Sequence, residues 1–198
     1  PANYNKFTSM QVGKVVVAGP SAAGKTCIIN RMHDGSFSPD SVATLTAAFI
    51  RKELIYKNQK IALSIWDTAG QERYASISPV YFRGAQFALL VFDLCSQASF
   101  EQMQKWIDQL KQRSGVETAA FLLGNKCDAV SDRVVGRQVA EEFARANGMI
   151  YVETSAKTGD GVQELLEMMA EKYLGCQKDD VKSLVVLSQN VERKKGCC

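Results

Sequence analysis

The strongest restriction on the fold is a rhythm of apolar runs: Val12 with Val15–Ala18, then Phe87–Phe92, Ala119–Leu123 and Met149–Val152. Runs without polar alternation suit strands buried on both faces of a parallel sheet. Around them Phe100, Met103, Ile107 and Leu110 mark one helical face, Val139, Phe143 and Ala146 a second, and Val162, Leu165, Leu166, Met169 and Tyr173 a third. Such alternation predicts an α/β domain. It is interrupted once: Ala47–Ile55 and Lys60–Trp66 are strand-like and joined by the polar turn Tyr56-Lys57-Asn58-Gln59, too short for a crossover helix. The expected architecture is a six-stranded mixed sheet, five strands parallel and one antiparallel at an edge, with helices on both faces. From Gly175 onward helix periodicity lapses, and Gln177–Cys198 is mostly polar with a basic end at Arg193-Lys194-Lys195. Within it Leu184–Leu187 reads as a segment that packs nowhere in the free protein.

Composition narrows the chemistry. The 198 residues suit one domain with a modest appendage, and 24 Lys+Arg against 21 Asp+Glu argue against nucleic-acid binding by a broadly basic surface. His33 is the sole histidine, which makes a zinc site or a His-based triad a poor reading. Six scattered cysteines and no run of about 18 apolar residues predict a reduced, cytosol-facing protein. Cys27 and Cys95 read as inert core, and His33 as ending the first helix.

Directly after the first strand comes Gly19-Pro20-Ser21-Ala22-Ala23-Gly24-Lys25-Thr26, the G-x-x-x-x-G-K-[ST] pattern of a P-loop NTPase, leading into a helix over Cys27–Met32. Glycines let consecutive N–H groups turn around phosphate oxygens, and the helix N-terminus adds positive potential. Pro20 lacks an N–H, so donation must come from Ala22, Ala23, Gly24, Lys25, Thr26 and Cys27, while the Ser21 side chain could reach the γ-phosphate. Lys25 supplies charge to the outer phosphates and Thr26 a hydroxyl to Mg²⁺. At the end of the third strand, Trp66-Asp67-Thr68-Ala69-Gly70-Gln71 offers Asp67 to the Mg²⁺ shell, through water, and Gly70 to a terminal phosphate. Gln71 is the candidate catalytic residue, since an amide can align an attacking water and so fits hydrolysis better than transfer.

Two later segments select the base. In Gly124-Asn125-Lys126-Cys127-Asp128, one carboxylate can accept both guanine N1–H and the N2 amine, whereas adenine presents a bare acceptor. Asp128 would therefore favour guanine by a factor on the order of 10³ or more. Asn125 can tie loops together near the base, and the stem of Lys126 can cover a ring face. Thr154-Ser155-Ala156-Lys157 follows the last strand, where the Ala156 N–H could reach the guanine carbonyl.

With these motifs in this order, the chain resembles a small GTPase of the Ras superfamily, specifically a Rab, over about residues 11–175 and again at the extreme C-terminus. Rab-like stretches are Leu45–Phe49, Ala62–Trp66, Arg73–Ile77, Tyr81–Ala85 and Leu90–Asp93, and the Ala47-Ala48-Phe49 ending resembles the early-endosomal group. The resemblance implies residues 1–10 as an N-terminal extension, 11–175 as the GTPase domain and 176–198 as a flexible tail. It implies GTP and GDP as ligands with Mg²⁺, Thr44 binding the metal and γ-phosphate, and Phe37 leaning on the guanine edge. Phe49, Trp66 and Tyr81 match the family's aromatic trio that contacts effectors. Thr46 stands where the family usually has glycine, so switch I geometry or effector choice should differ.

In such proteins GTP orders the segments 34–46 and 67–79, which release after hydrolysis. Intrinsic turnover is about 10⁻⁴ to 10⁻² s⁻¹ without an arginine finger. The resemblance therefore implies a TBC-type GTPase-activating protein, an exchange factor and GTP-state effectors. Terminal Cys197-Cys198 resembles a Rab geranylgeranylation site rather than C-a-a-X. Two lipid chains hold a membrane firmly, which implies Rab escort protein and GDP-dissociation inhibitor as partners. The implied location is the cytoplasmic face of intracellular membranes, endosomal by subgroup, with an escorted cytosolic pool. Two other readings stand beside this one: a module locked on GTP, motivated by Thr46, and a P-loop phosphotransferase.

Overall fold

The computed structural model describes residues 12–39, 48–67, 82–113 and 118–175. Its elements run β1 (Val12–Ala18), α1 (Lys25–Asp34), β2 (Ala48–Tyr56), β3 (Gln59–Asp67), β4 (Phe87–Asp93), α2 (Gln97–Glu101), α3 (Met103–Arg113), β5 (Ala119–Asn125), α4 (Arg137–Ala146) and β6 (Ile150–Thr154). A last helix, α5, covers 162–175. The strands form one sheet in the order β2-β3-β1-β4-β5-β6. Every pairing is parallel except β2 with β3, so the mixed sheet with one antiparallel edge strand is present as expected.

Alternation along the buried strands splits the core in two. Val15 and Val17 of β1 and Leu89 and Val91 of β4 pack with Ile28 and Met32 of α1 and Leu165 and Met169 of α5. Val16 of β1 and Leu90 and Phe92 of β4 turn to the other face, against Met103, Trp106 and Ile107 of α3 and Ala140 and Ala144 of α4. β4 is buried at all seven positions, which is why its sequence shows no polar break.

Several local expectations need correction. The turn between β2 and β3 has two residues, not four: Tyr56 pairs with Gln59, and Lys57 and Asn58 take φ of 48° and 62°. Paired left-handed residues give a turn whose twist matches the strands, so the flanking residues stay in the ladder. The face read through Phe100 and Met103 crosses a break, because Ser96 caps α2 by accepting from the Ser99 N–H and α2 stops before Met103. On α4, Val139 is 56% exposed and Ala146 is exposed, while Ala140 and Ala144 are buried. Close approach to the sheet there suits alanine, and the larger valine is left facing out. α1 begins at Lys25, two residues earlier than expected, and ends at Gly35, whose left-handed backbone lets its N–H donate to Arg31 O; His33 lies within the last turn. Cys27 and Cys95 are half-buried rather than core. Among the described residues no helix is long and apolar enough to cross a membrane.

Candidate nucleotide and metal site

Because β1, β3, β4, β5 and β6 run the same way, their C-terminal ends share one edge of the sheet, and the strand order reverses around β1. Such a reversal opens a crevice for a ligand. Asp93, Asn125 and Thr154 are neighbours across β4, β5 and β6, and Val17 pairs with Asp67.

The loop from Gly19 to Gly24 leaves β1 here. Gly19 has φ of 144°, and a Cβ on it would sit 2.1 Å from Val91 O; Gly24, at φ 87° on the α1 N-cap, would press one within 2.4 Å of Asn125 Nδ2. Both glycines are thus demanded by close approach as well as by backbone sign. Ala22 also takes positive φ, 59°, although it carries a side chain, at a cost of about 1–2 kcal/mol. Strain of this kind collects at functional loops, and nothing in the sequence pattern signals it. Ser21 and Ala22 are exposed, Ala23 is buried, and Cys27 is half-buried on the first turn of α1. Lys25 is 6% exposed and its ammonium donates to Gly19 O at 2.8 Å and Pro20 O at 2.6 Å. A buried cation needs acceptors, and the loop's own carbonyls serve.

Thr26 Oγ1 donates to Asp67 Oδ2 at 2.7 Å. Asp67 is 1% exposed, and its Oδ1 has no hydrogen-bond partner among the described residues. Burial pushes the carboxyl above its usual range, with the Thr26 hydroxyl and the Lys25 charge pulling it down. A buried carboxylate oxygen left unmatched costs about 1–3 kcal/mol or more. Hard oxygen donors so placed fit Mg²⁺, whose bound water would satisfy that atom.

Farther along the edge, Asn125 is 1% exposed and joins three segments. Its Nδ2 donates to Ala23 O at 2.8 Å, and its Oδ1 accepts from Ala156 N at 3.3 Å and Thr154 Oγ1 at 3.4 Å. The Ala156 N–H, which the sequence puts within reach of a guanine carbonyl, here donates to the buried Asn125 amide oxygen, as does the Thr154 hydroxyl. Lys126, at φ 67°, reaches Asp93 Oδ2 with its ammonium at 2.7 Å, which lays its stem along the edge. Asp128 Oδ1 accepts from the buried Ser155 hydroxyl at 2.6 Å, and Lys157 Nζ stands 3.9 Å from Asp128 Oδ2. Phe37 is half-buried against the core.

Residues outside the motifs hold these segments. Arg31 of α1 donates to Ala156 O at 2.7 Å, to Lys157 O at 2.6 Å and to Gly35 O. Asp93 pairs with Lys126 and accepts from the Cys95 N–H. No spacing rule would have found Arg31, which lies 125 positions from its partner Ala156. Desolvation raises the Cys95 and Cys127 thiols, which keeps them protonated. Phe49 is 54% exposed and meets Trp66 edge-on, centroids 5.1 Å apart, across the β2–β3 ladder. Thr44, Gly70, Gln71, Tyr81, Cys197 and Cys198 lie outside the described residues.

The Ras family model matches residues 14–175. The chain is 35% identical to the Ras-related protein Rab5A of Oryza sativa subsp. japonica, covering 98% of each. It is 35% identical to RABA4d of Arabidopsis thaliana, over 94% of this chain and 92% of that one. With Rab-30 of Homo sapiens the identity is 40%, over 77% and 75%.

Proposed function

We propose, for a chain that belongs to the Ras family and within it to the Rab GTPases, and so hydrolyses GTP as a switch in vesicle traffic, that the nucleotide lies along the strand C-termini from Asp67 to Ser155. The observation that carries this reading is the Asn125 amide, which ties Ala23 of the phosphate loop to the segment after β6. A single buried group thereby sets the distance between a phosphate end and a base end.

In this reading the loop from Ser21 to Cys27 surrounds the phosphates, and Lys25 moves its ammonium from loop carbonyls to phosphate oxygens. Thr26, Asp67 and Thr44 hold Mg²⁺, Asp67 through water. The metal supplies charge neutralisation on the outer phosphates. Asp128 accepts from guanine N1–H and N2, with the Ser155 hydroxyl fixing the carboxylate and the Lys126 stem and Phe37 lining the ring. Gly70 grips the γ-phosphate and Gln71 aligns the attacking water. Phe49, Trp66 and Tyr81 form the effector face, for which the exposed edge-on Phe49–Trp66 pair is support. Cys197 and Cys198 carry geranylgeranyl groups; escort protein, GDP-dissociation inhibitor, a TBC-type activator and an exchange factor complete the cycle. The resemblance of Ala47-Ala48-Phe49 to the early-endosomal group supports an endosomal membrane.

The test is competition among GTP, GDP and ATP for the full chain with Mg²⁺, followed by phosphate release without an acceptor. Guanine nucleotides are expected to bind about 10³-fold tighter than ATP. Comparable ATP affinity would overturn the base site.

A further inference from the structure

The half-buried ion pair between Arg133 and Glu153 has no part in the site described above. Arg133 Nη1 and Nη2 donate to the two oxygens of Glu153 at 3.0 and 2.5 Å, and its Nε donates to Val135 O at 2.8 Å. The Tyr151 hydroxyl adds a third contact to the same carboxylate, at 2.9 Å. That hydroxyl fits because Gly124 has no side chain: a Cβ there would stand 2.7 Å from it. The side chains of Arg133 and Glu153 are 26% and 15% exposed, so the fork is shielded on the carboxylate side.

Placement gives the pair its meaning. Asp128 sits on the segment that leaves β5, and this segment is fastened to β6 at its start, where the Cys127 N–H donates to Thr154 O at 3.1 Å. Arg133 fastens the same segment to β6 again, at the residue before Thr154. Val134 and Val135 then donate to Leu94 O and carry the chain away. Asp128 is thus held in a short span closed at both ends on one strand, with Ser155 of the following turn gripping its Oδ1. A carboxylate discriminates between bases only if it cannot follow a wrong one.

We propose that Arg133 and Glu153 act as a positioning clamp that sets guanine selectivity and nucleotide residence time by holding the Asp128 segment against the end of β6. This rests on the reading of Asp128 as the base-selecting residue. The test compares release of fluorescent GDP and inosine diphosphate from the full chain with Mg²⁺. Inosine lacks the N2 amine and so has one hydrogen bond fewer to lose at Asp128. Arg133→Met is expected to speed GDP release about tenfold and inosine diphosphate release about threefold, lowering the preference for GDP. Arg133→Lys should recover part of that preference, since a point charge replaces the fork. Tyr151→Phe keeps the ring volume, so it serves if the arginine variant fails to fold; a smaller fall in preference is expected. Equal acceleration of both nucleotides, or no change in either, overturns the clamp. Asp128→Asn separates the two failures. An unaltered preference in that variant overturns the base site and the clamp with it, whereas a lost preference there beside an unaffected arginine variant overturns the clamp alone.

Discussion

Gly24 and Asn125 show how much of the site depends on single atoms. Gly24 takes φ 87°, and an added Cβ would meet Asn125 Nδ2, which is itself committed to Ala23 O. Gly24→Ala therefore strains the backbone and opens the bridge, a loss of about 1–3 kcal/mol. Thermal unfolding of the variant should show a lowered midpoint and nucleotide release should be faster. A side chain that merely swung aside would leave both unchanged. Thr26 makes a separate point, because its hydroxyl is aligned with the buried Asp67 carboxylate. Thr26→Asn should weaken GTP and Mg²⁺ more than GDP, since GTP makes more use of the metal. Titrations with both nucleotides check this, and equal losses would contradict the role. The motif residues themselves were readable from type and spacing. The left-handed backbone of Ala22 and Lys126 was not, because residues that carry a Cβ seldom adopt it and residue type at those positions does not mark it.

Helix faces were less legible than motifs. α5 presents the expected stripe of Val162, Leu165, Leu166, Met169 and Tyr173, since its apolar residues are all needed against the sheet. On α4 the hydrophobicity of Val139 misled, because small alanines occupy the tight approach. Val139→Lys should change stability by about 0.5 kcal/mol or less. Ala144→Leu should cost about 1–3 kcal/mol through overpacking, and denaturant melts of the two variants would reverse that order if the valine face were buried. The link between the 126–136 segment and β6 also carries a pH signature. Burial raises Glu153, but the Arg133 and Tyr151 hydrogen bonds outweigh it and hold the carboxyl below the usual range; Arg133 and Arg137 face it, with Cys127 nearby. A lowered folded pKa means that the stabilisation is full above the unfolded value of about 4.3 and is lost as pH falls through the folded one. The stability gap between the native chain and Glu153→Gln should thus shrink as pH is taken down from neutral to below the unfolded value. A gap constant over that range would show that the charge contributes nothing.

Taken as one body, the molecule places a two-sided core beneath a site built from the first turn of α1, the ends of β3 and β5 and the loops beside them. β4, buried throughout, is the least accessible strand, whereas residues 19–24, 126–128 and 155–157 are turns and loops. A ligand touching all three loops stabilises by mass action, about 4 kcal/mol at a thousandfold excess over its dissociation constant. Stripping nucleotide and Mg²⁺ should lower the thermal midpoint and release hydrogen-exchange protection in those loops, with β4 retaining its own. Uniform loss across the sheet would instead mean that the core itself depends on the ligand. The sheet was legible because burial on both faces leaves a long, local hydrophobic trace, and the phosphate and base motifs were legible because their atoms lie within a few residues of one another. The mixed sheet and those site candidates follow from the amino-acid order alone. Arg31 on Ala156, Arg133 on Glu153 and Asn125 on Ala23 could be known only once the chain had folded, because such pairs lie 20 to 125 positions apart and their pairing depends on which strands become neighbours.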